Sequence, residues 1–595
     1  MNKLLDFFWL IVRLAGFWLA VYGYGRFLQT LLKSGKYRLP VHFAGIVFFI
    51  FLSLPLSLAG LFLRPVLTWI LVAGMILGAY SLIRSFSLRS DTRKIDIYGI
   101  ILSVLAVFIL CSNTLRASVP HSNPDALVTY AVQPDRWLSS GSIYYMKEVM
   151  FSGYPLSGEI LAAWPASLAA NRTDQLSILQ IFQMSLLLLA CITAWKTFGK
   201  GMIKAGIVVL ACMATSMLAG WASLPKVEMT ALYFTTLAFC SCYRQYCSSE
   251  RVFSPVPFIA MGLALSSKLT VYVALPSFLL LMLSSPFYRK MKNAITAVLL
   301  ISIIPIVFSV RSTIVTGTPF YPWSDSIIQA SAEYTLEEIP GREELERQNV
   351  APNDLLGNKE PEPFFVNVSE LVSSWGLPAV VFVLGIAALT LKKKLEKALI
   401  PVGVIVLYII LASIVFNPLR WGAKYAFLLS PFMAALGTKW TEGLKVPRIS
   451  FYGFMAVFLV TSSVTGRFNY VINYPGDEPL DFRPPDTVPV KPLHEWCNEN
   501  LPSDSVLLSM WKRERYFYDG TVIVIENHPL GRRLFLTEYI EEEMEILESM
   551  DVDYVYFQSS DPMPGDLEDL IVFLDSDRLE YVNEVSGFTL CRVLY

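Results

Sequence analysis

Charged residues recur in short turns between apolar segments of the chain. Asp125 follows the fourth apolar segment, Glu159 lies further along the same loop, and Lys226 and Glu228 flank a valine in a later turn. Ionisable groups close to a membrane are costly, so residues kept at such positions are candidates for function. Further basic residues of the same kind are Lys268, Arg311, Arg420 and Lys424. A carboxylate can accept a proton from a hydroxyl group, and these cations can hold an anion.

The segments that must position these residues are membrane spans. Of the 595 residues, 54% are hydrophobic and only 16% are charged, which is not the balance of a soluble protein. Runs such as 4–22 and 41–63 are long enough to cross a bilayer, and repetition of such runs predicts about 14 spans. The first run contains Asp6 and Arg13, so we interpret it as a span and not as a signal peptide. A net charge of −1 gives no indication of nucleic acid binding.

The basic residues of the loops predict the orientation of the spans. Loops at about 23–40 and 84–95, and every second loop after them, are rich in lysine and arginine and should be cytoplasmic. The N-terminus and two long loops, at about 112–175 and 315–370, are then extracytoplasmic. The second of these is acidic and long enough to be a lid over a site, although a solvated surface loop is an equal alternative.

The last part of the chain has the pattern of a soluble domain. We divide the chain into a transmembrane domain, residues 1–466, and a small extracytoplasmic α/β domain, residues 467–595. In this second domain, periodicity predicts helices at 493–500 and 538–550, and strands at 506–509, 522–525, 554–557 and 588–593. If this domain faces an oxidising compartment, Cys497 and Cys591 are candidates for a disulfide.

The order of motifs along the chain resembles a known family. The first long loop contains HSNPDALVTY at 121–130 and RWLSSGSIY at 136–144, followed by YPLSGEIL at 154–161. SKLT at 267–270 and TGTPFYP at 316–322 come later. This series is similar to that of GT-C membrane glycosyltransferases, in particular the protein O-mannosyltransferase-like family 39 enzymes and the lipid A aminoarabinose transferases. The resemblance covers most of the chain, including the soluble tail, and implies a GT-C-like fold.

The resemblance also implies an activity. Such enzymes transfer a sugar from a polyprenyl-phosphate donor to a lipid or glycan acceptor outside the membrane, with inversion, and Asp125 corresponds to the general base. The donor phosphate would be bound by Lys226, Lys268, Arg311, Arg420 and Lys424. The substrates would be contacted by Tyr154, Glu159, Glu228, Tyr321 and Trp137. The implied location is the plasma membrane or bacterial inner membrane, crossed many times.

Other interpretations of these residues remain open. Asp125 is also placed as a helix cap would be, the turn from Lys226 to Glu228 could be an ion pair, and Asp135 with Arg136 favours a local ion pair. The first loop lacks an Asp-x-Asp pair, so we predict no metal or other cofactor. At the level of the whole chain, the alternatives are an O-antigen ligase or polymerase-like enzyme, a multi-span transporter, and a noncatalytic protein that binds lipid carriers.

Overall fold

The computed structural model of the chain is mainly helical. It describes residues 2–32, 39–86, 97–118, 126–149, 152, 156–198, 202–247, 253–285, 287–288, 290–321, 330–331, 334, 364–415, 427–441, 488–510, 514–525, 528–537, 539–558 and 572–595. The predicted boundary at 466 and 467 lies outside the described residues.

Long apolar helices make this chain an integral membrane protein. Within the described part, six segments are long and apolar enough to cross a bilayer: Phe7–Leu31, Val41–Leu58, Arg64–Arg84, Arg172–Phe198, Met291–Thr316 and Leu395–Val415. Five shorter apolar helical segments accompany them: Ile100–Leu115, Ile203–Ala214, Val256–Leu265, Leu269–Ser284 and Trp375–Leu391. Membrane insertion is therefore confirmed, whereas the predicted number of about 14 spans is not.

Sixteen helices of the described part precede the soluble tail. They are α1 (Asn2–Leu31), α2 (Val41–Leu58), α3 (Arg64–Phe86), α4 (Ile97–Ala117), α5 (Val132–Ser140), α6 (Ser157–Ala166), α7 (Arg172–Phe198), α8 (Met202–Ala214), α9 (Ser216–Ala222), α10 (Glu228–Cys247), α11 (Val256–Leu265), α12 (Leu275–Ser284), α13 (Met291–Thr316), α14 (Phe364–Leu391), α15 (Leu399–Val415) and α16 (Ser430–Trp440). Short turns of 3-10 or π geometry lie at Ala126–Tyr130, Leu269–Ala274 and Leu395–Ala398.

Small residues allow the spans to pack closely. A Cβ atom added to Gly23 of α1 would lie 2.2 Å from the carbonyl oxygen of Gly74 and 2.6 Å from the backbone nitrogen of Gly78, both in α3. Helices inside a bilayer gain little from excluding water, so close backbone approach is a major source of their association. These three glycines therefore fix the contact between α1 and α3.

Two lysines of predicted inner loops and a contact of the tail lie at different ends of α7. Lys204 and Lys439, both predicted to be cytoplasmic, lie beside Trp195 near the end of α7. Arg172, at the start of α7, contacts the soluble tail through Asp519. Arg172 and Trp195 are about 35 Å apart along the helix axis, at ~1.5 Å per residue. Lys204 and Lys439 therefore lie at the opposite end of α7 from the contact between Arg172 and Asp519, and the predicted orientation of the spans stays a prediction.

The described residues of the C-terminal tail form a five-stranded sheet with helices packed beside it. Its strands are β1 (Val506–Ser509), β2 (Thr521–Val524), β3 (Tyr554–Gln558), β4 (Leu579–Val585) and β5 (Phe588–Val593), in the spatial order β2-β1-β3-β5-β4. β1 is parallel to β2 and β3, whereas β5 is antiparallel to β3 and β4. The helices of this domain are α17 (Lys491–Asn500), α18 (Pro529–Arg533) and α19 (Ile540–Ser549).

At β1, side chains on both faces of the sheet are buried. Leu507 of β1 belongs to the apolar core that continues into the transmembrane helices, whereas its neighbour Leu508 belongs to a second core that includes Leu547 of α19. Side chains alternate between the two faces of a strand, so these two cores lie on opposite sides of the sheet. The face that carries Leu507 therefore packs towards the transmembrane helices. The face that carries Leu508 packs against α19 within the tail.

A loop before β2 anchors the tail to the first outer loop. The Arg136 guanidinium donates hydrogen bonds to the carbonyl oxygens of Tyr518, Asp519 and Gly520. In addition, Arg515 donates its backbone N–H to the Leu127 carbonyl oxygen over 3.3 Å. The first outer loop and the tail therefore lie on the same side of the membrane.

Candidate active site

Three charged residues from different loops form a buried cluster, which we call the Glu159 cluster: Glu159, Glu228 and Lys268. The Lys268 Nζ atom lies 2.5 Å from the Glu228 Oε1 atom, and the two side chains are 12% and 2% exposed. Glu159 is 4% exposed, and both of these charged neighbours act on it electrostatically. The structure thus brings together three of the predicted site residues from three different loops.

The start of α6 positions this cluster. Ser157 donates its backbone N–H to the Ser266 carbonyl oxygen over 2.9 Å, and its Oγ atom lies 2.9 Å from the Oγ atom of Ser267. Both serine hydroxyls also donate to the carbonyl oxygen of Leu263. These bonds hold the turn that carries Lys268 against the first turn of α6, in which Glu159 is the third residue.

The turn before α10 packs on the same helix start. A Cβ atom added to Gly158 would lie 2.8 Å from Cγ1 of Val227, so this glycine lets the turn that carries Lys226 and Glu228 approach α6. Glu228 is the first residue of α10. A carboxylate there is stabilised by the backbone N–H groups of the helix start. Three chain segments therefore meet at Gly158: the start of α6, the turn before α10 and the turn that carries Lys268.

Glu159 lacks a full set of partners among the described residues. Its Oε2 atom is buried and has no hydrogen-bond partner in that part of the chain. Burial raises the pKa of the Glu159 carboxyl to about 8; its own backbone N–H and Lys268 lower this pKa, and Glu228 raises it. A carboxyl group in such surroundings is neutral over a wide range of pH.

The two lysines of the site contact aromatic rings. Lys226 is 5% exposed, and its Nζ atom lies 5.1 Å from the centre of the Trp221 ring. The Nζ atom of Lys268 lies 5.9 Å from the centre of the Tyr130 ring. Tyr130 ends the turn that begins at Ala126, so the first outer loop reaches the Glu159 cluster directly.

Arg311 belongs to a neighbouring aromatic cluster. Its Nη1 atom donates to the Ser152 carbonyl oxygen over 3.1 Å, its guanidinium lies 5.9 Å from the centre of the Tyr145 ring, and its Nη2 atom has no hydrogen-bond partner in the described part of the chain. Tyr334 makes edge contacts with Tyr145 and with Tyr321, which is 1% exposed. Arg311 and Tyr321 thus form one group, joined to the Glu159 cluster through the chain between residues 152 and 157.

Trp137 lies apart from both groups. Its ring is fully buried in the apolar core, and its Nε1–H donates to the carbonyl oxygen of Tyr144 over 3.1 Å. This packing gives Trp137 a structural role in folding the first outer loop, and the ring has no face open to a sugar. Its predicted substrate contact stays a prediction.

Four predicted site residues lie outside the described residues. They are Asp125, Tyr154, Arg420 and Lys424. Described residues flank two of them closely in sequence: Ala126 follows Asp125, and Ser152 and Leu156 enclose Tyr154. The role of each of these four stays a prediction.

The predicted local ion pair between Asp135 and Arg136 is wrong. Asp135 instead accepts hydrogen bonds from Arg64 at 3.3 Å and Arg172 at 3.2 Å, because both guanidinium groups converge on its buried carboxylate at the helix junction. Arg136 points to the tail. The sequence gives no signal for these pairings, since the partners are 37 or more residues apart.

Cysteines and possible metal ligands do not add to the site. Cys497 and Cys591 are both free thiols, so the disulfide left open by the sequence is not formed here. Among the described residues, no three histidine, cysteine, aspartate or glutamate side chains are grouped as a metal site requires.

Comparison with known proteins gives the fold. No protein-family model matches the chain, and no curated protein matches it. The structure of ArnT from Cupriavidus metallidurans in the apo state superposes with a TM-score of 0.53 at 12% identity, covering 83% of this chain and 97% of that one. The archaeal oligosaccharyltransferase AglB from Archaeoglobus fulgidus, in complex with an inhibitory peptide and a dolichol-phosphate, superposes with a TM-score of 0.43 at 12% identity, over 77% of this chain and 69% of that one. The chain therefore shares its fold with the ArnT structure, in agreement with the fold that the resemblance of its loop motifs implied.

Proposed function

We propose that this protein transfers a sugar from a polyprenyl-phosphate donor to a lipid or glycan acceptor at the extracytoplasmic face of the membrane. The observation that supports this proposal best is the Glu159 cluster, in which charged groups from three loops are buried together in a chain that shares the fold of ArnT. Buried charges are costly, and a set built from three separate loops favours a binding site over an incidental ion pair.

The reaction needs a base, cations and access for a lipid. The oxygen of the acceptor hydroxyl bonds to the anomeric carbon, while the bond from that carbon to the phosphate oxygen breaks and the prenyl phosphate leaves with the electron pair. Asp125 accepts the hydroxyl proton, and the attack from the opposite side inverts the anomeric carbon. Cations stabilise the negative charge that develops on the leaving phosphate.

Two of the proposed phosphate ligands lie at the described site. Lys226 is buried and Lys268 is largely buried, at turns that meet at the start of α6, and each contacts an aromatic ring. Arg311 is held by the Ser152 carbonyl oxygen beside the aromatic cluster, where it can offer further N–H groups to an anion. Arg420 and Lys424 complete the proposed set.

A transfer assay tests this function. We expect membranes that contain the full-length protein to transfer label from a radiolabelled prenyl-phosphate sugar, and Asp125→Asn to abolish transfer, because an amide cannot accept the hydroxyl proton. Glu545→Gln changes an exposed carboxylate of the tail in the same way and should keep full activity. Wild-type activity in Asp125→Asn would exclude Asp125 as the base.

A further inference from the structure

The protonation state of Glu159 decides the net charge of the Glu159 cluster. Among the described residues, Glu159 is the member of the Glu159 cluster that has no ion-pair partner, since Lys268 pairs with Glu228. If all three groups are ionised, the cluster has a net charge of −1. If Glu159 carries a proton, the net charge is zero.

Other charged groups near α6 have partners of their own. Asp135 of α5 pairs with Arg64 and Arg172, and Asp174 of α7 pairs with Arg13. Arg172 also pairs with Asp519 of the tail, so the charges within each of these two groups sum to zero. Arg136 of α5 donates to carbonyl oxygens of the tail, His42 of α2 lies beside Trp18 and Tyr22, and Lys226 lies over Trp221. Glu228 and Lys268 are therefore the charges that act on Glu159.

We propose that Glu159 holds a proton when the donor is bound, and that release of this proton to solvent weakens binding of the donor phosphate. The proposal rests on the proposed function, because it assigns the phosphate of that donor to the site beside Lys268. A phosphodiester carries one negative charge, so a cluster of net charge zero admits it and a cluster of net charge −1 repels it.

The burial of Glu159 places this proton release in an accessible range of pH. An ordinary glutamate has a pKa of about 4.3. Burial raises the pKa of Glu159 to about 8, with a further contribution from the Glu228 carboxylate. Glu159 thus remains neutral in neutral solution and loses its proton as the solution becomes alkaline.

Binding of a lipid phosphodiester measures the effect directly. Methyl farnesyl phosphate has a single charge that does not change between about pH 6.5 and about pH 9.5, so any change in its affinity comes from the protein. For the full-length protein in detergent, we expect Kd to rise about tenfold over this range. In Glu159→Gln, which mimics the protonated acid in shape and charge, the rise should be less than about twofold.

Glu228→Gln serves as a second variant. Removing the Glu228 charge removes one cause that raises the pKa of Glu159, so the rise in Kd should begin at a lower pH than in the wild type. An unchanged dependence on pH in Glu159→Gln, or none in the wild type, overturns the proposal.

Infrared spectroscopy separates this proposal from the proposed function. A protonated carboxylic acid has a carbonyl band distinct from that of a carboxylate; at neutral pH we expect one such band that disappears in Glu159→Gln and at alkaline pH. Absence of this band overturns the Glu159 proposal and leaves the proposed function standing. A band that titrates as expected, in a protein that binds no diester at any pH, overturns the phosphate assignment and the proposed function together.

Discussion

Lys268 and Glu228 form the ion pair on which the candidate site depends. Both side chains are largely buried, with the Nζ and Oε1 atoms 2.5 Å apart. Lys268→Met leaves the Glu228 charge without its partner, so we expect a loss of about 3 to 5 kcal/mol of stability. The measurement is the thermal unfolding midpoint of the detergent-solubilised protein.

The double variant Lys268→Met with Glu228→Gln gives the control for this pair. Removing both charges should restore much of the stability, because no uncompensated buried charge remains. It should not restore transfer, since the cation proposed to hold the phosphate is still absent. A double variant as unstable as the single one would contradict this account of the pair.

At this scale the sequence predicts the members of the site better than their partners. Glu159, Glu228 and Lys268 are each recognisable as charged residues in turns between apolar segments. The ion pair joins residues 40 positions apart, and the bond from Arg136 to the Tyr518 carbonyl oxygen joins residues 382 apart. Such partners depend on how the loops pack, which no local pattern contains.

Among the elements, the start of α6 is the most sensitive. In Gly158→Ala the new Cβ atom would lie 2.8 Å from Cγ1 of Val227, so α6 and the turn before α10 must move apart. We expect a loss of about 1 to 3 kcal/mol of stability and a fall in transfer activity, because the same turn carries Lys226 and Glu228. Thermal unfolding and the transfer assay measure the two effects.

Two further variants check the cause. Val227→Ala in the Gly158→Ala background removes the side chain that clashes and should recover part of both losses. Gly403→Ala in α15 adds the same methyl group where no atom lies within 4 Å, so it should leave both quantities unchanged. Equal losses in Gly158→Ala and Gly403→Ala would point to a general effect of alanine.

The strands of the tail show how far elements can be predicted. β1 lies at Val506–Ser509 as predicted, and β2, β3 and β5 lie within one residue of their predicted bounds. β4, at Leu579–Val585, was not predicted, because it is an edge strand with exposed glutamates in place of a regular apolar alternation. The sheet partner that makes it a strand is β5, which follows it in sequence.

For the whole molecule, docking of the tail on the first outer loop is the feature with the widest consequences. Arg136 donates to three successive carbonyl oxygens of the tail, and Arg515 of the tail donates to the carbonyl oxygens of Leu127 and Glu148. The first outer loop also carries Asp125 and Tyr130. It is therefore held between the tail on one side and the transmembrane helices on the other.

Arg136→Ala should weaken this docking, because three successive carbonyl oxygens of the tail lose a charged donor at once. We expect faster amide hydrogen exchange at residues 514–525 of the tail and at residues 126–149 of the loop, since each segment supports the other. Arg136→Lys keeps the positive charge, but a compact ammonium group lacks the forked N–H groups of arginine. We therefore expect this variant to raise the exchange rates by an intermediate amount. Arg533→Ala removes an exposed arginine of α18 and should leave the exchange rates of both segments unchanged.

Faster exchange in the tail alone would mean that the loop is held by the membrane helices without help from the tail. Unchanged exchange in both segments of Arg136→Ala would contradict the docking role of Arg136.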